Sequence, residues 1–89
     1  MNNTEPNIFR TRIRTRIDIV VHVDELLDEQ NRRRVEHALL KTAGIGRASF
    51  NDERQHLLVI GYDPEQTNSS HILKLVRQHQ LNAQLIGGI

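Results

Sequence analysis

Residues 24–31 read DELLDEQN, and within them Asp24, Glu25, Asp28 and Glu29 gather carboxylates into one short polar connection. Clustered oxygen donors in a loop are the chemistry of hard cations such as Ca²⁺ or Mg²⁺. This loop has no regular ligand spacing and no glycine for a sharp turn, whereas acidic residues at a helix start are favoured by the macrodipole. Capping is the expected use of these side chains, with Asp24 and Glu25 kept as metal candidates beside His22. The five histidines scatter along the chain. His37 should be solvated, His71 and His79 flank a helix, and His56 begins a strand, while His22 alone stands at the centre of an apolar strand. A lone imidazole there reads as a surface or interface residue, because tight metal sites take three or four protein ligands.

Cysteine is absent, which excludes disulfides, thiolate metal sites and cysteine nucleophiles. No Ser/His/Asp set, paired-carboxylate constellation or Gly-rich phosphate loop can be placed, so neither an enzyme nor a cofactor is expected. Arg10, Arg12, Arg14 and Arg16 alternate and Arg32, Arg33 and Arg34 form a run. Strand residues on one face repeat at about 6.6–7 Å, so the alternating set could track phosphates. The formal net charge of +1 gives no general pull toward nucleic acid or membrane.

The elements that must position these residues follow from periodicity. The chain of 89 residues is 37% hydrophobic and 26% charged, the balance of one folded domain. A domain of this length buries only about 60–65% of the surface its unfolded chain exposes, so the core is small. No apolar run approaches the roughly 18 residues of a membrane helix, and a cytoplasmic location is expected. Residues 1–11, polar and containing Pro6, read as a disordered lead-in to a single domain over 12–89. Ile13, Ile17, Ile19, Val21 and Val23 share a period of two, the mark of a half-buried strand. From Asp28 to Thr42, Val35, Ala38 and Leu39 form one helical stripe, with Asp28 as cap and Gly44 just past the end.

Residues 45–50 and 56–62 flank a turn at Asn51-Asp52 and predict a β-hairpin. Asn-Ser-Ser then caps a second helix whose stripe is Ile72, Leu75, Val76 and His79, and Asn82 to Ile86 forms a last strand. The order βαββαβ is the split βαβ of an α+β, ferredoxin-like sandwich: a four-stranded antiparallel sheet with two helices on one face. Ala83 and Leu85 should face those helices. The open face then receives Val20, His22, Leu57, Val59 and Ile86, an apolar surface of the kind that docks a partner.

Over about residues 17–87 the chain resembles the heavy-metal-associated domain, the module of copper chaperones and of the amino-terminal arms of metal-pumping P-type ATPases. VEHALLKTAGIGRASFN is similar to that family's first-helix end and second strand, LLVIGYDP to its third strand, and ILKLVRQHQLNAQLIG to its second helix and final strand. Gln80-Leu81 stands where the family prefers Gly-Tyr. The resemblance places the family's Gly-Met-x-Cys-x-x-Cys loop on Glu25 to Asn31, with Leu26 at the buried Met position and Asp28 and Asn31 at the two Cys positions. Two thiolates at that spacing meet soft Cu(I); a carboxylate and an amide are hard oxygen ligands that do not replace them.

Three functions follow as expectations. The first is a metal-free interaction module docking a protein partner, or a second copy of itself, through its sheet face or loop. The second is a carrier or sensor of transition metal using histidines and carboxylates. The third is nucleic-acid binding through the Arg-rich amino end. RNA-binding sheets need outward aromatics for base stacking, and Val20, His22, Leu57 and Val59 occupy those positions, which disfavours it.

Overall fold

The computed structural model describes residues 16–88. The expected lead-in, residues 1–11, lies outside the described residues, as do Ile13 and Arg14. Strand β1, Ile17–Val23, buries Ile19, Val21 and Val23 by strict alternation. It is followed by α1 (Glu29–Leu40), β2 (Ile45–Phe50), β3 (Leu57–Tyr62), α2 (Ser69–Arg77) and β4 (Ala83–Gly88). The sheet runs β2-β3-β1-β4 with every neighbouring pair antiparallel. This is the expected βαββαβ sandwich.

The core lies between the sheet and the helices. Val35 and Leu39 from α1 and Ile72 and Val76 from α2 meet Ile19, Val21, Val23, Leu58 and Ile60. Ile72 and Val76 have no exposed surface, and each such burial stabilises by about 1.5–3 kcal/mol. Truncation of Ile72 to Ala would cost about 2–5 kcal/mol through lost contacts and a cavity.

The helices start where short polar side chains accept backbone N–H groups. Asp28 caps α1 and Asn68 caps α2, each accepting at 2.8 Å from the residue three positions on. Several details depart from the sequence expectation. Lys41, not Gly44, caps the end of α1. Gly44, at φ 91°, is the third residue of a turn closed by the Ile45 N–H donating to the Thr42 carbonyl at 3.1 Å. That conformation suits glycine, and a Cβ there would stand 2.8 Å from the Gln66 Cβ. His79 follows α2 as an exposed turn residue and does not extend its apolar stripe.

Strand β4 is the largest departure. Leu85 pairs with Val21 on the helix side, yet it remains 46% exposed because β4 is the outermost strand. A bulge then shifts the register, so Gly87 stands opposite Val20 and Ile86 becomes the extra residue, 53% exposed. A two-residue repeat cannot foresee one inserted residue.

Candidate functional site

The connection between β1 and α1 has a defined geometry. Asp28 sits extended, and its carboxylate accepts the backbone N–H of Asn31 at 2.8 Å. Glu29 adds a carboxylate to the first turn, and Arg32 bonds the Leu27 carbonyl through Nη1 at 2.5 Å. The carboxylate at Asp28 therefore satisfies one of the open N–H groups that every helix start presents.

Glu25 is drawn the other way, toward the start of β4. Its oxygens accept the Asn82 backbone N–H at 2.9 and 3.1 Å, and the Asn82 side-chain amide at 2.8 Å. The Asp24 N–H donates to the Asn82 carbonyl at 2.8 Å, so two consecutive residues clamp one. The Asn82 backbone N–H, more than any other partner, holds the Glu25 carboxyl below its ordinary value, because a bond to the ionised form favours that form.

The expectation for Leu26 is corrected. It is 71% exposed, and Leu27 packs against the core instead. With Asp28 extended as the cap, successive side chains point to opposite sides, and only one of the two leucines can reach the interior. Leu27, Val35 and Leu81 form the apolar lining of a cavity of about 190 Å³ beside the loop, with Asn31, Arg34 and His79 completing its wall.

On the open sheet face, Val20 stands opposite Val59, and His22 opposite Leu57. All four are half-buried. Ser49 extends the Val59 row on one side and Gly87 extends the Val20 row on the other. One end of this face holds Asp18, Arg16 and Arg47, with the Arg16 Nε 3.8 Å from an Asp18 oxygen. Gly61 lies between them, and a Cβ there would come within 2.6 Å of the Asp18 carboxylate. The other end holds His22, whose Nδ1 is 3.0 Å from the Asp24 Oδ1.

Of the sequence candidates, the structure thus brings His22 and Asp24 together and commits the carboxylates of Glu25 and Asp28 to separate backbone N–H groups, those of Asn82 and Asn31. Among the described residues, no three His, Asp or Glu side chains converge as a metal site. Two residues escaped sequence reasoning. The His56 ring stacks on that of His22, with centroids 5.5 Å apart and planes 12° from parallel. Glu36 is buried at 9% exposure, where its carboxylate accepts the Phe50 N–H at 2.7 Å and pairs with Arg33 at 3.1 Å. Only Arg33, three residues earlier on α1, hinted that this carboxylate has a partner.

No helix among the described residues is long and apolar enough to cross a membrane. No family model matches the chain, and no curated protein matches it in sequence. Solved structures do match. The chain is similar to a copper binding domain from HMA7, a P-type ATPase, at 21% identity and a TM-score of 0.73, over 81% of this chain and 96% of that one. It is similar to the N-terminal domain of a potential copper-translocating P-type ATPase from Bacillus subtilis, in the Cu(I)-loaded state, at 17% identity and a TM-score of 0.75, over 84% and 92%. It is also similar to the CopZ metallochaperone at 17% identity and a TM-score of 0.64, over 78% and 98%. At these identities the likeness establishes the fold: the chain has the ferredoxin-like frame of the heavy-metal-associated domains, without a cysteine.

Proposed function

We propose that this chain is a small, non-enzymatic interaction module, which keeps the frame of the copper-binding domains, lacks their thiolate pair, and docks protein through its open sheet face. The occupant is a second copy of the chain. The observation that supports the absence of a thiolate site is the helix start, where Asp28 and Asn31, which the resemblance puts at the two Cys positions, carry no sulfur and the Asp28 carboxylate accepts the Asn31 backbone N–H to close α1. Hard oxygen and amide groups there offer nothing that soft Cu(I) prefers.

The sheet face supports docking. Val20, Val59 and Leu57 give it an apolar centre on adjacent central strands. Arg16 and Arg47 lie at one end, where Asp18 offsets one of the two positive charges, and Asp24 lies beyond the other end. Turning a second copy end for end over the first sets Arg16 and Arg47 of each against Asp24 of its mate, and an interface between identical surfaces needs this self-complementarity. Opposed charges at the rim fix the orientation while the apolar centre supplies the affinity.

Sedimentation equilibrium in the presence of chelator tests the reading. A dimer is expected, and Val59→Lys should raise its dissociation constant by at least about tenfold, since the variant buries a charge at the interface centre. A chain that stays monomeric at millimolar concentration, or a dimer indifferent to Val59→Lys, would overturn it.

A further inference from the structure

His22 and His56 reach one another from two segments, β1 and the turn that leads into β3. His56 precedes Leu57, the registered partner of His22, and the two rings stack with centroids 5.5 Å apart. The Nδ1 of His22 lies 3.0 Å from the Asp24 carboxylate, and that of His56 lies 2.7 Å from the Val23 carbonyl. Neither a carbonyl nor an ionised carboxylate has a proton to give, so each neutral ring donates through Nδ1 and keeps an unprotonated Nε2. Each ring can therefore take up a proton without losing its anchor, and imidazole is the side chain whose charge changes between about pH 5 and 8. Opposite His22, β3 offers Leu57 and β4 offers Gln84, both uncharged. The turn that carries His56 also carries Asp52, Glu53 and Arg54, all exposed. Among the described residues, Asp24 is the charged side chain bonded to this pair.

We propose, in a step that rests on the dimer reading above, that the stacked imidazoles make self-association pH-dependent: the face pairs while both rings are neutral and releases its mate when they are protonated. Turned end for end, the dimer sets the His22 end of each copy against Arg16 and Arg47 of its mate. Two arginines against Asp18 leave that opposing end one positive charge in excess. With neutral rings, Asp24 gives the His22 end a negative charge to meet it. A proton on one ring cancels that charge and a proton on each reverses it, so attraction across the interface turns to repulsion. Two cations held beside the apolar centre of Val20, Leu57 and Val59 would also lose hydration on pairing. The dimer thus binds fewer protons than its separated copies, and acidification drives it apart.

Sedimentation equilibrium of the full chain at about pH 8 and about pH 5.5, a span in which histidine titrates and carboxylates stay ionised, tests it. The dissociation constant of the parent should rise at least about tenfold on acidification, with its circular dichroism unchanged. The double variant His22→Gln/His56→Gln, which keeps amide donors for Asp24 and the Val23 carbonyl and takes up no proton, should dimerise equally at both pH values; His22→Gln alone, with a smaller response than the parent, serves if the double variant does not fold. His22→Lys, charged throughout, should be a weak dimer already at about pH 8. A parent that is monomeric at about pH 8 would overturn the dimer reading and this step with it. A dimer of equal affinity at both pH values, a full pH response in the glutamine variants, or a dissociation that tracks loss of the helical signal would overturn the pH dependence and leave the dimer standing.

Discussion

The backbone N–H of Asn31 donates to the Asp28 carboxylate at 2.8 Å, so the positions that the family resemblance gives to a pair of metal-binding thiolates are here joined directly by a capping bond. The scaffold brings these positions together, and the side chains decide what the proximity does. Asp28→Ala should lower stability by about 1 kcal/mol, the ordinary worth of an N-cap, whereas Asp28→Ser should restore most of it. Urea denaturation of the two variants distinguishes loss of the cap from loss of the charge.

Glu25 gives the clamp on Asn82 a pH dependence. Its carboxyl is held below the ordinary value of 4.5, chiefly by the Asn82 N–H. A depressed folded-state value means that the contribution is fully present above the unfolded value and is lost as pH falls through the folded one. The parent should therefore lose stability on acidification below about 4.5, and Glu25→Gln should show a shallower loss over the same range. Thermal melts at a series of pH values read the difference.

Gln80 has φ 64°, the left-handed region that a side chain disfavours. Gln80→Gly should therefore raise stability by about 1 kcal/mol, since the local strain removed exceeds the entropy that glycine adds to the unfolded chain. Equilibrium unfolding of this variant should give a higher midpoint at an unchanged slope.

Much of the fold was legible in the sequence because its signals are local. Alternation in Ile17–Val23, the stripe of Val35 and Leu39, and the caps Asp28 and Asn68 all specify structure within a few residues. The parts that were not legible arise from packing at longer range. The bulge at Ile86 depends on how β4 meets β1, and the exposure of Leu26 depends on which of two adjacent leucines the interior accepts. His56 looked like a strand start, and only folding brings its ring onto His22. The candidate loop was located by its carboxylates and by the family resemblance, but those carboxylates are drawn apart by partners such as Asn82, distant in sequence.

Glu36 shows how a charged residue becomes structural. It satisfies the N–H of Phe50 at 2.7 Å from within the interface of α1 and β2. Glu36→Ala should cost about 1–3 kcal/mol, because a buried donor would be left without an acceptor. Glu36→Gln keeps an oxygen for that donor and should cost less. Amide hydrogen exchange at Phe50 should accelerate in the alanine variant beyond what its global destabilisation explains.

The central claim, a copper-domain frame whose metal loop has lost its ligands and kept its geometry, is tested most directly by Cu(I) competition against a chromophoric chelator. The parent, Asp28→Cys, Asn31→Cys and the double variant should be compared. Two thiolates beside the amino terminus of α1 would be stabilised as anions by the helix dipole and would share one Cu(I). The double variant should withdraw one equivalent of Cu(I) from the chelator, each single variant much less, and the parent none. A folded double variant that competes no better than the parent would contradict the claim.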